Sequence, residues 1–306
     1  MKENFTEPFD QFIGIYTLSP VYFCSAALST TISSILIYLL YKIPNLRTPS
    51  NFLLLNTCLC CLFFCEISFL NILPFIYPYT TTMTDWSCRI QGYLTYVSIS
   101  LVLYSLVAQA SSRLFYTVLY KYRYLLSIKC HIYLLILQIL LSFLCPLSAI
   151  ISTNITFRPF KACLVPIHYS LHCLYLFIVI CCIPIIIIII FYIIIYRYTV
   201  KSRRNRQTLA LRTKRERKLA TNILILLSIF IFCAIASSLH VILSNGFRTY
   251  STSLYLFSLS TPAIGIICEK IAIIVLNRHI RKVAQQQWLR LSYRLFPIRV
   301  APSFRA

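Results

Sequence analysis

The sequence predicts an all-α membrane protein that is built as a bundle of seven transmembrane helices. Of its 306 residues, 59% are hydrophobic and 12% are charged, whereas a soluble domain has about half its residues apolar and about a quarter charged. Seven apolar stretches are each long enough to cross a bilayer as a helix. Helices are expected because lipid offers no hydrogen-bond partner to an open backbone.

The seven stretches define the organisation of the chain. They fall near residues 15–41, 51–76, 90–120, 128–152, 169–198, 219–243 and 251–276. Residues 1–14 are then an N-terminal segment, residues 15–276 form the transmembrane domain and residues 277–306 form a tail. The fifth stretch contains the run "IPIIIIIIFYIII", which is too apolar and too long for a strand in a soluble core.

The basic residues predict which side of the membrane each loop occupies. The loops at 42–50, 121–130 and 196–218 and the tail hold 22 of the 29 Lys and Arg residues, and the opposite face holds five. Because positive loops stay in the cytoplasm, we expect the N-terminus outside and the tail inside the cell. The sequons at Asn4 and Asn154 then both lie outside, where glycosylation occurs. The same distribution explains the formal charge of +22 without a nucleic-acid partner.

The fourteen cysteines fall into two groups. Most lie within apolar stretches, including Cys58, Cys60, Cys61 and Cys65 in the second. A metal cluster is one interpretation of that group, and small, polarizable packing residues are the favoured one. Cys88 and Cys163 instead fall on the expected outer face, where disulfides persist. A bridge between them would tie the loop after the fourth span over the bundle.

Several short motifs, taken in order, resemble the rhodopsin-like (class A) G-protein-coupled receptors. Cys88 lies twenty-five positions before Arg113, and Pro184 lies eight before Tyr192. The remaining matches are "LRTPSNFLLLNTCLCC" (46–61), Trp86, Phe230-x-x-Cys233 and "LNRHIRKV" (276–283). The resemblance implies a cell-surface receptor, not an enzyme, with a Cys88–Cys163 disulfide and a short amphipathic eighth helix. Its partners would be an extracellular ligand, a heterotrimeric G protein and membrane lipids, and no cofactor is implied.

The same resemblance assigns a signalling switch and shows where this chain departs from the family pattern. The residues it implies are Ser112, Arg113, Leu114, Pro184, Tyr192, Phe230 and Glu269. Ser112 stands where the family has an acid beside its arginine. The second-helix acid falls on Cys61, which puts the usual sodium pocket in doubt. The sixth-helix tryptophan and proline fall on Ala234 and Ala236. Glu269 falls near the asparagine of the missing Asn-Pro-x-x-Tyr motif.

Arg113 has two interpretations. In the family this arginine lies at the inner end of the third helix and meets the G protein when the sixth helix moves outward. With Ser112 beside it, the resting ion pair cannot form, which would favour the open state by an amount on the order of a kcal/mol. Alternatively, Arg113 extends to the inner membrane face as an anchor without a switching role. Glu216, just before the sixth span, is a candidate for the missing acid.

Other polar residues also keep two interpretations. Glu269 is expected to face the bundle, either as a polar or ion-sensitive hinge or as a hydrogen-bonded structural residue. Tyr96, His168, His172 and His240 are candidates for an outer ligand pocket. His168 and His172 are four residues apart and could hold a metal, although packing or interfacial roles are favoured. The basic loop at 196–218 fits contact with anionic lipid, a docking face for a cytoplasmic partner, or both.

A membrane transporter or channel is the alternative functional class. Against it stand the lack of a repeat at a fixed period, the presence of only four glycines and the small number of intramembrane charges. The stretch from Leu94 to Ser98 offers no acid for an amine ligand. The sequence therefore favours a receptor without naming its ligand.

Overall fold

The computed structural model describes residues 20, 24, 26–38, 49–76, 84–152, 155, 163, 165, 169–203, 228, 261, 264–268 and 270–272. These residues form helices and short connections and include no strand. Four described helices are long and apolar enough to cross a membrane: Phe52–Asn71, Asp85–Thr117, Ile128–Ile151 and Leu171–Tyr198. The predicted all-helical membrane fold is confirmed. The amphipathic eighth helix, and all of the sixth span except residue 228, lie outside the described residues.

Helices are numbered here in chain order. They are α1 (Ala26–Tyr38), α2 (Pro49–Ile76), α3 (Asp85–Thr117), α4 (Ile128–Leu144), α5 (Leu147–Ile151), α6 (Ser170–Phe177) and α7 (Ile183–Arg203). A 3-10 turn at Arg123–Leu126 precedes α4, and a π turn at Ile178–Cys182 joins α6 to α7. The fourth span therefore consists of α4 and α5, and the fifth consists of α6, the π turn and α7.

Helix α3 begins five residues before the position that hydropathy indicates. Thr84 caps its first turn, because the Thr84 side chain accepts a hydrogen bond from the amide of Ser87 at 3.2 Å. Asp85 follows in that first turn, where a negative charge favours the positive end of the helix dipole. The polar cap lowers the hydropathy of the segment while it stabilises the start of the helix.

Helix α3 is the central helix of the described bundle. It contacts α2, α4, α5, the π turn and α7. In its most apolar window 61% of the residues are buried, compared with 22% in the fourth span and 28% in the fifth. The fourth and fifth spans therefore lie at the periphery, with much of their apolar surface available to lipid, and α3 carries most of the internal contacts.

Amide side chains connect α3 to its neighbours inside the bundle. Asn56 on α2 donates to the Gln138 side-chain oxygen on α4 at 2.7 Å, and Gln138 donates to the carbonyl of Leu101 on α3 at 3.4 Å. About two turns beyond Leu101 on α3, Gln109 donates to the hydroxyl of Thr57 on α2 at 2.5 Å. Hydrogen bonds of this kind between membrane helices are worth about 0.6–2 kcal/mol each. They fix the register of α2, α3 and α4.

The π turn follows from the backbone chemistry of Pro184. The amide of Ile183 donates to the carbonyl of Ile178, which is a π-helical bond. The next bond of this ladder would join residue 184 to the carbonyl of Val179, but proline has no N–H group. The hydroxyl of Tyr104 on α3 donates to that carbonyl instead, at 3.1 Å. A side chain of the central helix thus fills the gap in the backbone ladder of the fifth span.

Replacing Tyr104 with phenylalanine should therefore destabilise the protein. Tyr104→Phe leaves the Val179 carbonyl without its donor, and we expect the free energy of unfolding to fall by about 1–2 kcal/mol. The thermal unfolding midpoint of the detergent-purified protein measures this change. Tyr175→Phe is the matched control, because Tyr175 is exposed and its hydroxyl makes only a 3.5 Å contact with the carbonyl of Cys145. Equal midpoints for the two variants would contradict the assignment.

Candidate functional site

Two groups of polar residues lie at opposite ends of α3, which are called inner and outer after the orientation that the basic loops predict. At the inner end, Ser112 is 2% exposed and its hydroxyl oxygen lies 2.9 Å from Nε2 of His131 on α4. The sequence predicts that Ser112 cannot hold Arg113 in an ion pair, and the structure gives the serine a different partner. His131 was not among the candidates. Its position in the first turn of a span, directly after a basic loop, is the signal in the sequence that could have identified it.

Arg113 and Leu114 lie on the side of α3 that meets α7. Leu114 packs against a cluster on α3 and α7 whose buried members are Ala110, Ile188, Tyr192 and Ile195. Arg113 is half-buried and acts electrostatically on Tyr192. The Tyr192 side chain is 5% exposed, and its hydroxyl has no hydrogen-bond partner in the described part of the chain. The inner end of α3 therefore places a guanidinium near a buried phenol.

The middle of the bundle contains a buried lysine that the sequence motifs do not assign. The side chain of Lys270 is fully buried and lies near Cys60 and Cys65 of α2. Cys61, at the position where the family has an acid, is also fully buried. Glu269 and Phe230 lie outside the described residues, so the expectations for them remain predictions. Hydropathy alone could not identify Lys270 as an inward-facing residue.

The second-span cysteines are packing residues in this arrangement. Cys60, Cys61 and Cys65 form one apolar cluster together with Val97 and Leu101 of α3. Within the described residues, no group of three or more His, Cys, Asp or Glu side chains is arranged to hold a metal ion. Small sulfur-containing side chains allow α2 and α3 to approach closely here.

At the outer end, a disulfide joins the loop after the fourth span to α3. Cys88 and Cys163 are bonded, with their Cα atoms 5.2 Å apart, which lies within the usual range. The predicted disulfide is confirmed. Arg89 also donates to the carbonyl of Ile155 at 3.3 Å. A Cβ atom at Gly92 would collide with the carbonyl oxygen of Cys163, so the loop backbone lies directly on the helix at this glycine.

Two of the predicted ligand-pocket residues make contacts within the protein. The Tyr96 hydroxyl accepts a hydrogen bond from the amide of Val165 at 3.2 Å, which makes Tyr96 a further attachment point for the outer loop. His172 lies 3.2 Å from the hydroxyl of Ser148 on α5. His168 and His240 lie outside the described residues, as do the sequon asparagines Asn4 and Asn154.

A polar cluster between α2 and α3 was not predicted as a unit. Asn71 donates to the hydroxyl of Thr95 at 2.6 Å, and Thr95 donates to the backbone carbonyl of Gln91 at 2.8 Å. The side-chain oxygens of Asn71 and Gln91 are buried and have no hydrogen-bond partner among the described residues. The cluster therefore presents two acceptors and no acid. Thr95 belongs to the polar stretch from Leu94 to Ser98, which was the available signal.

Substitution of Gly92 should separate the outer loop from α3. In an ordinary helix, Gly→Ala stabilises by about 0.5–1 kcal/mol. Here the added methyl group meets backbone that cannot rotate away, so we expect Gly92→Ala to lower the thermal midpoint and the amount of protein at the cell surface. Surface labelling and thermal unfolding measure the effect. A Gly92→Ala variant as stable as the parent or more stable would show that the loop does not lie on this glycine.

No curated protein matches the chain significantly. The sequence profile described as "7 transmembrane receptor (rhodopsin family)" matches residues 33–282, which cover most of the chain. The match includes α2 to α7, both ends of α3 and the buried Lys270. The chain therefore belongs to the rhodopsin family of seven-transmembrane receptors.

Proposed function

We propose that this receptor lies in the plasma membrane, binds an extracellular ligand and activates a heterotrimeric G protein through its inner half. The observation that carries the proposal is the position of Arg113 near Tyr192, where α3 packs against α7. A half-buried guanidinium acts on a buried phenol that has no hydrogen-bond partner among the described residues. This arrangement is unfavourable, because a buried hydroxyl group without a hydrogen bond costs about 1–3 kcal/mol. A rearrangement that supplies a partner would recover this energy.

The inner half can act as a switch because α3 offers different contacts on different sides. Arg113 lies near Tyr192 of the α7 cluster, whereas the neighbouring Ser112 contacts His131 of α4. When the inner ends of the helices separate, Arg113 and Tyr192 reach a widened, wetter cavity in which a G protein can make contact. No ion pair between residues 112 and 113 opposes this opening, so we expect measurable signalling without ligand.

The outer cluster of Asn71, Gln91 and Thr95 is the proposed contact for the ligand. Its two unpartnered amide oxygens accept hydrogen bonds, and Asn71 and Thr95 hold each other in place. A ligand group with N–H or O–H donors therefore fits this end of the bundle. The cluster contains no carboxylate to neutralise a buried ammonium group, so a neutral donor, such as an amide, is the better match.

Loss of the Arg113 charge should reduce G-protein activation. We expect Arg113→Ala to lower ligand-free nucleotide exchange by roughly tenfold or more, because a charged contact is worth about 1.5–3 kcal/mol. The measurement uses the receptor in lipid nanodiscs with a panel of purified heterotrimers, normalised to folded receptor. Lys129→Ala, which removes an exposed charge from the first turn of α4, is the control. Unchanged exchange in Arg113→Ala would favour the membrane-anchor interpretation.

The orientation of the chain is tested by its two sequons. If the N-terminus is outside, Asn4 and Asn154 are both accessible to the glycosylation machinery. Treating the expressed protein with a glycosidase should then increase its gel mobility, and Asn4→Gln with Asn154→Gln should abolish the shift. A chain that carries no glycan at either site, while an added sequon in the 196–218 loop is modified, would reverse the proposed topology.

A further inference from the structure

We propose that His131 is a positioning residue for the inner switch, which holds the start of α4 and the preceding loop against α3 through Ser112. The contact itself is independent of any G protein, and its consequence for signalling rests on the function proposed above. Neither the motifs of the sequence nor the family match assigns a role to this histidine.

The hydrogen-bond geometry fixes the direction of both contacts. Nδ1 of His131 lies 2.9 Å from the carbonyl oxygen of Ser127, and Nε2 lies 2.9 Å from the hydroxyl of Ser112. A carbonyl oxygen can only accept, so Nδ1 carries the proton in this contact. In the neutral ring, Nε2 is then the acceptor and Ser112 donates to it. Both side chains are buried, with His131 0% and Ser112 2% exposed, so water does not compete for these bonds.

Ser127 extends the connection from His131 to the second inner loop. Its side chain accepts from the amide of Cys130 at 3.4 Å and thereby caps α4, while its hydroxyl donates to the carbonyl of Tyr124 at 2.7 Å. The amide of His131 also donates to the Ser127 carbonyl, at 3.4 Å. One residue therefore ends the 3-10 turn and begins α4. His131 joins this junction to α3.

The arrangement divides the inner end of α3 between two neighbours. Adjacent residues of a helix point about 100° apart. Ser112 accordingly reaches α4, whereas Arg113 acts on Tyr192 of α7. The Ser112–His131 contact makes the α4 side the fixed side of the switch, so that opening occurs on the α7 side, where Arg113 lies. Tyr116 supports the histidine, with its ring centre 5.7 Å from the imidazole centre.

Amide hydrogen–deuterium exchange of the full chain in lipid nanodiscs tests the contact without a ligand or G protein. In Ser112→Ala, we expect the amides of the first turn of α4 to exchange roughly tenfold faster, the order expected for one buried hydrogen bond. Ser111→Ala is the matched control. Ser111 donates to the carbonyl of Val107 within its own helix at 2.8 Å, so its loss should leave that turn unchanged. Ser112→Thr keeps the hydroxyl and should restore parental exchange.

Two substitutions of the histidine separate its two contacts. The side-chain amide of His131→Gln places a polar atom near the position of Nε2, whereas that of His131→Asn places one near Nδ1. We therefore expect His131→Gln to retain the hydrogen bond to Ser112. The amides of the first turn of α4 should then exchange more slowly in His131→Gln than in His131→Asn. The double variant Ser112→Ala/His131→Asn should exchange no faster than the faster single variant, because both remove the same contact. Ser112→Ala adds no bulk and decides the test alone if the histidine variants do not fold.

Ligand-free nucleotide exchange then measures the role in signalling. Ser112→Ala should change it at least threefold relative to Ser111→Ala. A parental exchange rate for the α4 amides in Ser112→Ala, or equal acceleration by Ser111→Ala, would overturn the proposed contact. Accelerated amide exchange with unchanged nucleotide exchange would overturn its role as a positioning residue. If the parent activates none of the G proteins, the proposed function fails while the amide-exchange result still decides the structural contact.

Discussion

The described structure depends on one constraint: lipid supplies no hydrogen bonds, so a polar group buried between membrane helices is stabilised only by a partner within the protein. Several buried amides, hydroxyls and open carbonyls of the described helices have such a partner on a neighbouring helix. Asn56 selects Gln138, Gln109 selects Thr57, and the Val179 carbonyl exposed by proline chemistry is met by Tyr104. Apolar contacts hold helices together with little preference for register, whereas these bonds are satisfied in one arrangement only. The central position of α3 follows, since most of these bonds begin or end on it.

The fold could be predicted from the sequence because its determinants are summed over many residues. Hydropathy and length identify a span regardless of what any one side chain contacts. The ends of the spans are less predictable, because they depend on single polar groups. Thr84 extends α3 toward the outside beyond the apolar stretch, and Ser127 fixes the start of α4. The disulfide was predictable for a different reason, since Cys88 and Cys163 share a compartment and match a family pattern.

The candidate sites were less predictable because they depend on which helix face meets which neighbour. The motifs identify Ser112 and Arg113, but the partner of Ser112 lies nineteen residues away, on another helix. No single-sequence pattern shows that the side chain of Lys270 is fully buried. Tyr96 was expected at a ligand pocket on position alone, and no sequence pattern shows that its hydroxyl also accepts a hydrogen bond from the outer loop. Contacts between elements, rather than residue types, separate these roles.

The π turn also sets which way the inner half of the fifth span faces. Buried side chains recur there every four residues, at Leu176, Ile180, Pro184, Ile188 and Tyr192. A four-residue step in a regular α-helix overshoots a full turn by about 40°, which amounts to about 160° between Leu176 and Tyr192. The π turn contains one extra residue, which removes about 100° of this rotation. The angular offset between Leu176 and Tyr192 around the helix axis is then about 60°. The extra residue therefore keeps a single stripe of side chains directed at α3, and a regular helix would rotate Tyr192 toward the lipid.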